Sequence, residues 1–350
     1  MTETKKNKRW KLVLNIATVI ALAVLCYLIR DEIVQTVENV QRVNIYALLL
    51  IIPLQALNYN AYARMYVRLF GLLGNKISRK DMLKVTLELN LVNNVFPSGG
   101  VSGFSYFGVR LKRLGVSTGK ATLVQTMKFV LLFVSFEILL AFGLLFLALG
   151  GQASNMTILV ASSLATFLFM ATAGAAFLIG SEKRINSFFT YVTQQINRLI
   201  HLARRKHPET ISVDRVQKTF KELHENYVIL KSDYRKLVAP ALFALLANVS
   251  EVLTLYVVYI AFDQWVNPGA IILAYAIANF AGLISVLPGG IGIYEAIMTA
   301  VLVTAGIPAS VSIPVTIMYR VLNTTVQLVP GYYFYHKALR EDPVIETLHE

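Results

Sequence analysis

The chain has 350 residues, of which 56% are hydrophobic, and its mean hydropathy is +0.58. This composition excludes an ordinary soluble domain and indicates a polytopic membrane protein. The formal net charge of +13 does not indicate nucleic-acid binding, because the basic residues cluster beside apolar runs, as on the cytoplasmic face next to anionic inner-leaflet lipids. The single cysteine and the scattered histidines predict no metal site, and we expect no cofactor.

The first half of the chain contains four predicted spans and one short helical hairpin. Residues 12–29 follow a basic start without a small-residue cleavage site, so we expect a retained first span and not a signal peptide. Residues 82–96 and 101–110 are too short to cross a core of about 30 Å. Basic residues flank both outer ends of this pair, which predicts a re-entrant hairpin that enters from the cytoplasm. The second, third and fourth spans are predicted at residues 46–70, 121–149 and 158–179.

The second half begins with a polar insert, residues 181–237, whose apolar residues recur at helical spacing. This spacing predicts amphipathic helices on the inner membrane surface. Two further spans are predicted at residues 238–262 and 313–335. Between them, residues 270–305 repeat the short hairpin without flanking Lys or Arg, so we expect this hairpin to enter from outside. Both termini are therefore expected in the cytoplasm, with the protein in the cell membrane.

Two similar stretches lie about 190 residues apart. They are NNVFPSGGVSG at residues 93–103 and SVLPGGIGIYE at residues 285–295, and both place a proline and paired glycines inside an apolar segment. Matched broken helices in duplicated units are the best sequence indication of a transporter-type site. Other residues at nearly the same separation are Asn58 with Asn248, Gly115 with Gly306, and Lys128 with Arg320.

The sequence therefore predicts an all-α polytopic membrane protein with about six transmembrane helices plus two re-entrant helical hairpins. Repeat A covers about residues 44–150 and repeat B about residues 238–337, and charge placement gives them opposite orientation. The chain is read as one integral membrane domain without a soluble catalytic domain. Irregular backbone at membrane depth is tolerated only where it is buried in protein or faces a water-filled cavity. We therefore expect the two hairpin tips to line such a cavity.

The hairpin tips are the candidate substrate site. A helix starts after each tip, and its free N–H groups and dipole favour an anion such as a phosphodiester. Paired glycines would let that anion approach the backbone, although glycines that only permit tight turns and helix packing are the alternative reading. The candidate residues are Pro97, Ser98, Gly99, Gly100 and Ser102 in the first hairpin, and Pro288, Gly289, Gly290 and Glu295 in the second.

Charged residues inside the apolar segments complete the candidate site. Lys128 and Arg320 occupy matching spans, and an intramembrane charge costs at least about 2.5 kcal/mol, so both are expected to face the interior and bind a lipid phosphate. Snorkelling to the interface is the alternative. Glu88, Glu137 and Glu251 are predicted either to pair with cations, which is slightly favoured, or to couple protons. No catalytic residue is predicted.

Four segments together resemble the lysylphosphatidylglycerol synthase transmembrane family, the flippase-like domain of the bacterial multiple peptide resistance factor. They are FPSGGVSGFSYFGVRLKRLGVS (96–117), QTMKFVLLFVSFEIL (125–139), LPGGIGIYEAIMTAVLVTAGIP (287–308) and MYRVLNTTVQLVPGYYFY (318–335). The resemblance covers about residues 10–340. It implies lipid movement between leaflets and a link to antibiotic resistance. In the full-length factor a soluble domain makes the lipid from aminoacyl-tRNA, and no such domain is expected here.

The favoured hypothesis is a flippase or scramblase for an anionic or aminoacylated phospholipid, or for a lipid-linked sugar. The alternative is a phosphatidylglycerol lysyltransferase component, or a partner subunit of a membrane lipid aminoacyl- or glycosyltransferase. A third reading is a scaffold that recruits a separate lipid synthase through residues 181–237. The sequence leaves open the headgroup, the direction, the energy source and the oligomeric state, with a homodimer among the open alternatives.

Overall fold

The computed structural model describes residues 30–40, 43–96, 101–151, 154–203, 213–284 and 290–341, together with residues 20, 23, 24 and 27. This part of the chain is helical and contains no strand, and several of its helices are long and apolar. The predicted all-α polytopic membrane fold is therefore confirmed. Most of the predicted first span, residues 12–29, lies outside the described residues.

The helices are numbered in chain order. Their bounds are α1 Arg30–Val40, α2 Ile45–Leu49, α3 Ile51–Leu72, α4 Arg79–Val95, α5 Val101–Lys112, α6 Thr118–Leu149, α7 Asn155–Ile179, α8 Glu182–Ala203, α9 Val213–Ser232, α10 Val238–Ala261, α11 Pro268–Ile284, α12 Ile293–Thr304 and α13 Ala309–Glu341, with a 3₁₀ turn at Tyr234–Leu237 before α10.

Among the described residues, four helical stretches are long and apolar enough to cross a membrane: Ile45–Leu72, Thr118–Leu149, Asn155–Ile179 and Tyr234–Ala261. They coincide with the predicted second to fifth spans. The predicted sixth span lies within α13, whose 33 residues extend about 50 Å at 1.5 Å per residue. It is less apolar than the other four because polar side chains, described below, interrupt its middle.

Serine caps fix several helix starts slightly earlier than hydropathy suggests. The Ser78 hydroxyl accepts the Asp81 N–H at 3.1 Å, so α4 begins three residues before the predicted hairpin arm. Ser117 and Ser154 cap α6 and α7 in the same way. Side-chain caps satisfy backbone donors that an apolar pattern does not register.

Both predicted hairpins consist of helices too short to span the bilayer. The arms of the first are α4 and α5, and those of the second are α11 and α12, with 12 residues in α5 and in α12. The tips between them, residues 97–100 and 285–289, lie outside the described residues. The hairpins therefore have the predicted helical arms.

The sequence did not predict α1, which packs against α13, or the separation of α2 from α3. The charged residues of α1 interrupt its apolar pattern, so that hydropathy does not predict a helix there. The insert forms the predicted helices, α8 and α9. Ile185 and Leu223 of these helices are buried in the bundle, whereas Phe188 and Ile229 are exposed.

The hairpins are exchanged between the two halves of the bundle. Helices α3 and α10 pack along each other, α4 packs on α13, and α11 packs reciprocally on α6. Glycines permit both reciprocal contacts. A Cβ on Gly269 would lie 2.3 Å from the Gly143 carbonyl oxygen, and a Cβ on Gly331 would lie 2.8 Å from the Leu87 carbonyl oxygen. Each half thus places the first arm of its hairpin against the last helix of the other, while the second arms, α5 and α12, pack on the last helix of their own half.

Polar contacts define the two ends of the bundle. At one end the Lys120 ammonium donates to the Leu73 carbonyl at 2.8 Å, and Glu222 of the insert accepts from the Ser117 hydroxyl. At the other end the Asn267 amide donates to the Phe146 carbonyl at 3.1 Å. The insert therefore lies at the end where α6 begins, opposite the end where α11 begins.

Candidate functional site

A cavity of about 520 Å³ lies where the two halves meet. Its described lining comes from α3 to α6 and from α10 to α13, so both hairpins contribute to it. The lining is Asn58, Tyr62, Tyr66, Thr86, Leu89, Asn90, Asn93, Asn94, Phe96, Phe104, Gln125, Lys128, Phe129, Leu132, Phe133, Phe136, Asn248, Glu251, Tyr275, Asn279, Phe280, Gly282, Gly290, Tyr294, Tyr319, Arg320, Asn323 and Gln327.

Amide side chains give this cavity its polar character. Seven asparagines and two glutamines are among the lining residues. The Asn90 amide donates to the Tyr59 hydroxyl at 3.1 Å and to Gln327 Oε1 at 3.3 Å, which joins α4 to α13. Amides left without partners in hydrocarbon are costly, so their concentration here indicates a polar chamber between otherwise apolar helices.

Asn58 and Asn248, which lie 190 residues apart in the sequence, belong to α3 and α10, the two helices that pack along each other. The Asn58 amide donates to the Ala247 carbonyl at 2.9 Å and to the Ser250 hydroxyl at 3.2 Å. The Asn248 amide donates to the Ser135 hydroxyl at 3.0 Å. Both side chains are buried, so these bonds hold the central helices together beside the cavity.

Lys128 is a cation in this cavity without a carboxylate partner. Its ammonium lies 5.3 Å from the Tyr62 ring centroid and 5.4 Å from that of Phe129. Within the described residues it makes no ion pair and no hydrogen bond. Cation–π contacts of this kind compensate only part of the cost of removing an ammonium from water. Lys128 is therefore suited to bind an anion that enters the cavity.

Arg320 also lines the cavity, but its charge is already neutralised. The Arg320 Nε donates to Glu295 Oε1 at 2.7 Å, and the guanidinium lies over the Tyr294 ring at 4.4 Å. Glu295 Oε2 in turn accepts the Gly292 N–H at 2.6 Å, at the start of α12. An anion was expected at this helix start, and the chain's own carboxylate occupies that position. Glu295 itself does not line the cavity.

The predicted repeat offers a comparison between the surroundings of the two cations. The position 190 residues before Glu295 is Ser105, and its neighbours Phe104 and Tyr106 are not acidic either. Lys128 therefore has no counterpart of the carboxylate that neutralises Arg320. Both cations thus line the cavity, but only Arg320 is shown paired with a carboxylate within the described residues.

Glu88 belongs to an ion pair within the first hairpin. Its side chain is 1% exposed, and Glu88 Oε2 accepts from Arg110 Nε at 2.8 Å and from the Tyr106 hydroxyl at 2.8 Å. It does not line the cavity, and its contacts join the two arms α4 and α5. Of the two alternatives predicted for Glu88, the structure shows the pairing with a cation.

Glu251 and Glu137 pair with neither Lys128 nor Arg320 within the described part of the chain, and their pairing with a cation stays a prediction. Glu251 lines the cavity and accepts from the Tyr319 hydroxyl at 3.1 Å and from the Asn323 amide at 3.2 Å. Glu137 does not line the cavity, and its Oε1 is buried without a hydrogen-bond partner among the described residues. Proton coupling by either residue stays a prediction.

Most of the predicted tip residues lie outside the described residues: Pro97, Ser98, Gly99, Gly100, Pro288 and Gly289. Their roles stay predictions. Gly290 lines the cavity with a φ of 70°, a left-handed conformation that suits glycine. Ser102 lies in the first turn of α5, is partly buried and does not line the cavity.

Sequence reasoning missed most of the amide and tyrosine lining. The signal was present in α4, where Asn90, Asn93 and Asn94 recur at helical spacing within an apolar segment. Such residues share one face of a helix. Because a face of amide side chains is costly in lipid, it also indicates a cavity.

Comparison with known proteins agrees with this architecture. Residues 13–331 match the family described as "Lysylphosphatidylglycerol synthase TM region". The chain is also 30% identical over 92 residues to a "UPF0104 membrane protein" of Methanothermobacter thermautotrophicus, a match that covers 26% of this chain and 28% of the relative. The family match covers most of the chain and confirms the resemblance seen in the hairpin segments. The chain therefore belongs to the lysylphosphatidylglycerol synthase transmembrane family.

Proposed function

We propose that this protein is a flippase or scramblase that moves an anionic or aminoacylated phospholipid, or a lipid-linked sugar, between membrane leaflets. The observation that supports it best is Lys128, an ammonium that faces a polar cavity without a carboxylate partner among the described residues. A buried charge of this kind is costly and by default indicates a substrate pathway in a membrane protein.

The position of the cavity favours transport. It lies at the contact between two halves that exchange hairpins, where substrate sites of transporters with internal repeats are found. Its volume of about 520 Å³ is in the range of small-molecule sites. This space suits a polar headgroup.

The lining offers a partner for each part of such a headgroup. The Lys128 ammonium can bind a phosphate as a compact point charge. The surrounding amides can bond glycerol or sugar hydroxyls, and the Glu251 carboxylate can accept from an amino group or a hydroxyl. Arg320 does not compete for the phosphate, because Glu295 neutralises it.

Transfer in proteoliposomes tests this function, with headgroup exposure measured by an impermeant amine- or sugar-modifying reagent. Lysyl-phosphatidylglycerol, phosphatidylglycerol and a glycolipid are compared as substrates. Replacing the cation, Lys128→Gln, should lower transfer at least about tenfold, which corresponds to 1.4 kcal/mol. The matched control is Lys84→Gln, which removes a half-exposed lysine of α4 and should retain wild-type transfer.

Transfer of none of these lipids, or wild-type transfer by Lys128→Gln, would contradict the proposal. Lys128→Arg is expected to transfer lipid at a rate between those of the wild type and Lys128→Gln, because arginine keeps the positive charge but has a differently shaped cationic group.

A further inference from the structure

We propose that the fatty acyl chains of the transported lipid leave the cavity along a row of phenylalanine rings and enter the bilayer between α6, α7 and α11. This phenylalanine row consists of Phe129, Phe133, Phe280 and Phe167. The inference rests on the proposed function and adds to it the site that accepts the apolar part of the substrate.

The rings of the row follow one another without a break. The centroids of Phe129 and Phe133 on α6 are 6.5 Å apart, those of Phe133 and Phe280 on α11 are 6.4 Å apart, and those of Phe280 and Phe167 on α7 are 5.1 Å apart. All three separations lie in the range of aromatic contacts. The row therefore connects three helices with a continuous apolar surface.

The two ends of the row differ as the two ends of a lipid differ. At the inner end, the Lys128 ammonium lies 5.4 Å from the Phe129 ring. At the outer end, the Phe167 side chain is 52% exposed, on a helix apolar enough to cross the membrane. If the phosphate of a lipid binds Lys128, the acyl chains of that lipid lie beside the phenylalanine row, and the outer end of this row faces the hydrocarbon.

The inner rings of the row are accessible from the cavity. Phe129, Phe133 and Phe280 line it, and all three are only partly buried. Apolar side chains in a tightly packed core are normally fully buried. Their partial exposure indicates a surface that another apolar group can cover, and each methylene removed from water there contributes about 0.8 kcal/mol.

The helix at the outer end is loosely attached. Only 11% of the most apolar 18-residue stretch of α7 is buried inside the protein. Its contacts are made mainly with α6, and those with α11 are sparse. An opening between α7 and α11 therefore disturbs little packing, and acyl chains can pass there without crossing the amide-lined chamber.

Tryptophan fluorescence with brominated lipids tests this path. Trp10 and Trp265 are replaced by phenylalanine, and single tryptophans are introduced as Phe280→Trp and Phe133→Trp. Phe167→Trp is the lipid-facing reference, and Phe107→Trp is the control, since Phe107 is 1% exposed and packs against Tyr66 and Phe70. Each variant is reconstituted with phospholipids brominated along the acyl chain.

We expect Phe280→Trp and Phe133→Trp to show at least half of the quenching of Phe167→Trp, and Phe107→Trp to show little. Protection of both inner positions from quenching by brominated lipid would overturn the proposal. If acrylamide then quenches these tryptophans, the cavity is purely aqueous. If acrylamide does not quench them either, the positions lie in a closed core. Two inner positions are used so that one misfolded variant, identified by size-exclusion chromatography, leaves the other informative.

The quenching does not require transport, so the two proposals fail separately. Quenched inner tryptophans with no lipid transfer would remove the proposed function and keep the acyl-chain site. Lys128-dependent transfer with protected inner tryptophans would keep the function and remove this path.

Discussion

The carboxylate of Glu295 accepts from the Arg320 guanidinium at 2.7 Å and also from the Gly292 N–H at 2.6 Å. It therefore joins α13 to the start of α12, next to the second tip. The side chains of Arg320 and Glu295 are only 17% and 13% exposed. Arg320 and Lys128 both line the cavity, but Arg320 forms an ion pair with the second hairpin, whereas Lys128 has no carboxylate partner among the described residues.

Removing one member of this pair should destabilise the protein more than removing both. Arg320→Gln leaves the Glu295 carboxylate without its cation, and breaking a buried pair costs about 3–5 kcal/mol. The double variant Arg320→Gln/Glu295→Gln leaves no uncompensated charge and should recover much of that loss. Unfolding free energies in mixed micelles, titrated with sodium dodecyl sulfate, measure the difference. Losses that simply add would show that the two groups are not coupled.

Neutralising Lys128 should have the opposite effect on stability. Lys128→Gln removes a cation that has no carboxylate partner among the described residues, so the free energy of unfolding should stay equal or rise, by up to about 2.5 kcal/mol. The same variant should lose lipid transfer, which separates a functional charge from a structural one. Lys84→Gln should change stability by less than about 1 kcal/mol, because a half-exposed pair contributes little. A marked loss of stability in Lys128→Gln would indicate a structural role.

Hydropathy and charge predicted the helices well because the bilayer restricts a chain to long apolar helices and buried irregular segments. The bounds of α6 and α10 differ from the predicted spans by only a few residues. The sequence did not predict α1, because four of its eleven residues are charged and it therefore has no apolar run. Its position depends on packing against α13, which is a tertiary contact.

The candidate site was predicted only in part. Lys128 and Arg320 stand out in the sequence as charges in apolar segments, but their different environments do not. Whether Arg320 contacts Glu295 depends on how α12 and α13 pack together. The separation of 192 residues between Lys128 and Arg320 gives no information about this packing. The amide lining depends in the same way on the exchange of hairpins between halves, since α4 brings its asparagines to α13 of the other half.

The close approach of α6 and α11 should not tolerate a side chain at Gly269. A Cβ there would lie 2.3 Å from the Gly143 carbonyl oxygen, so Gly269→Ala must push the two helices apart and lose stability by about 1–3 kcal/mol. Gly174→Ala on α7 is the matched control. It has open space around the position, and alanine favours a helix over glycine by about 1 kcal/mol. The control should therefore be neutral or stabilising in the same micelle titration, and equal stability of the two variants would contradict the close packing.

The two ends of the bundle should lie on opposite sides of the membrane, with the insert in the cytoplasm. Arg79, Lys80 and Lys112 lie at the end that also holds the insert, as basic residues do on the cytoplasmic side. In a Cys26→Ser background, single cysteines at exposed positions of this end, Lys112→Cys and Lys183→Cys, should react with an impermeant maleimide only after permeabilisation. Asn155→Cys and Trp265→Cys, at the opposite end, should react in intact cells. The reverse pattern would invert the orientation, and labelling of all four positions in intact cells would contradict a spanning topology.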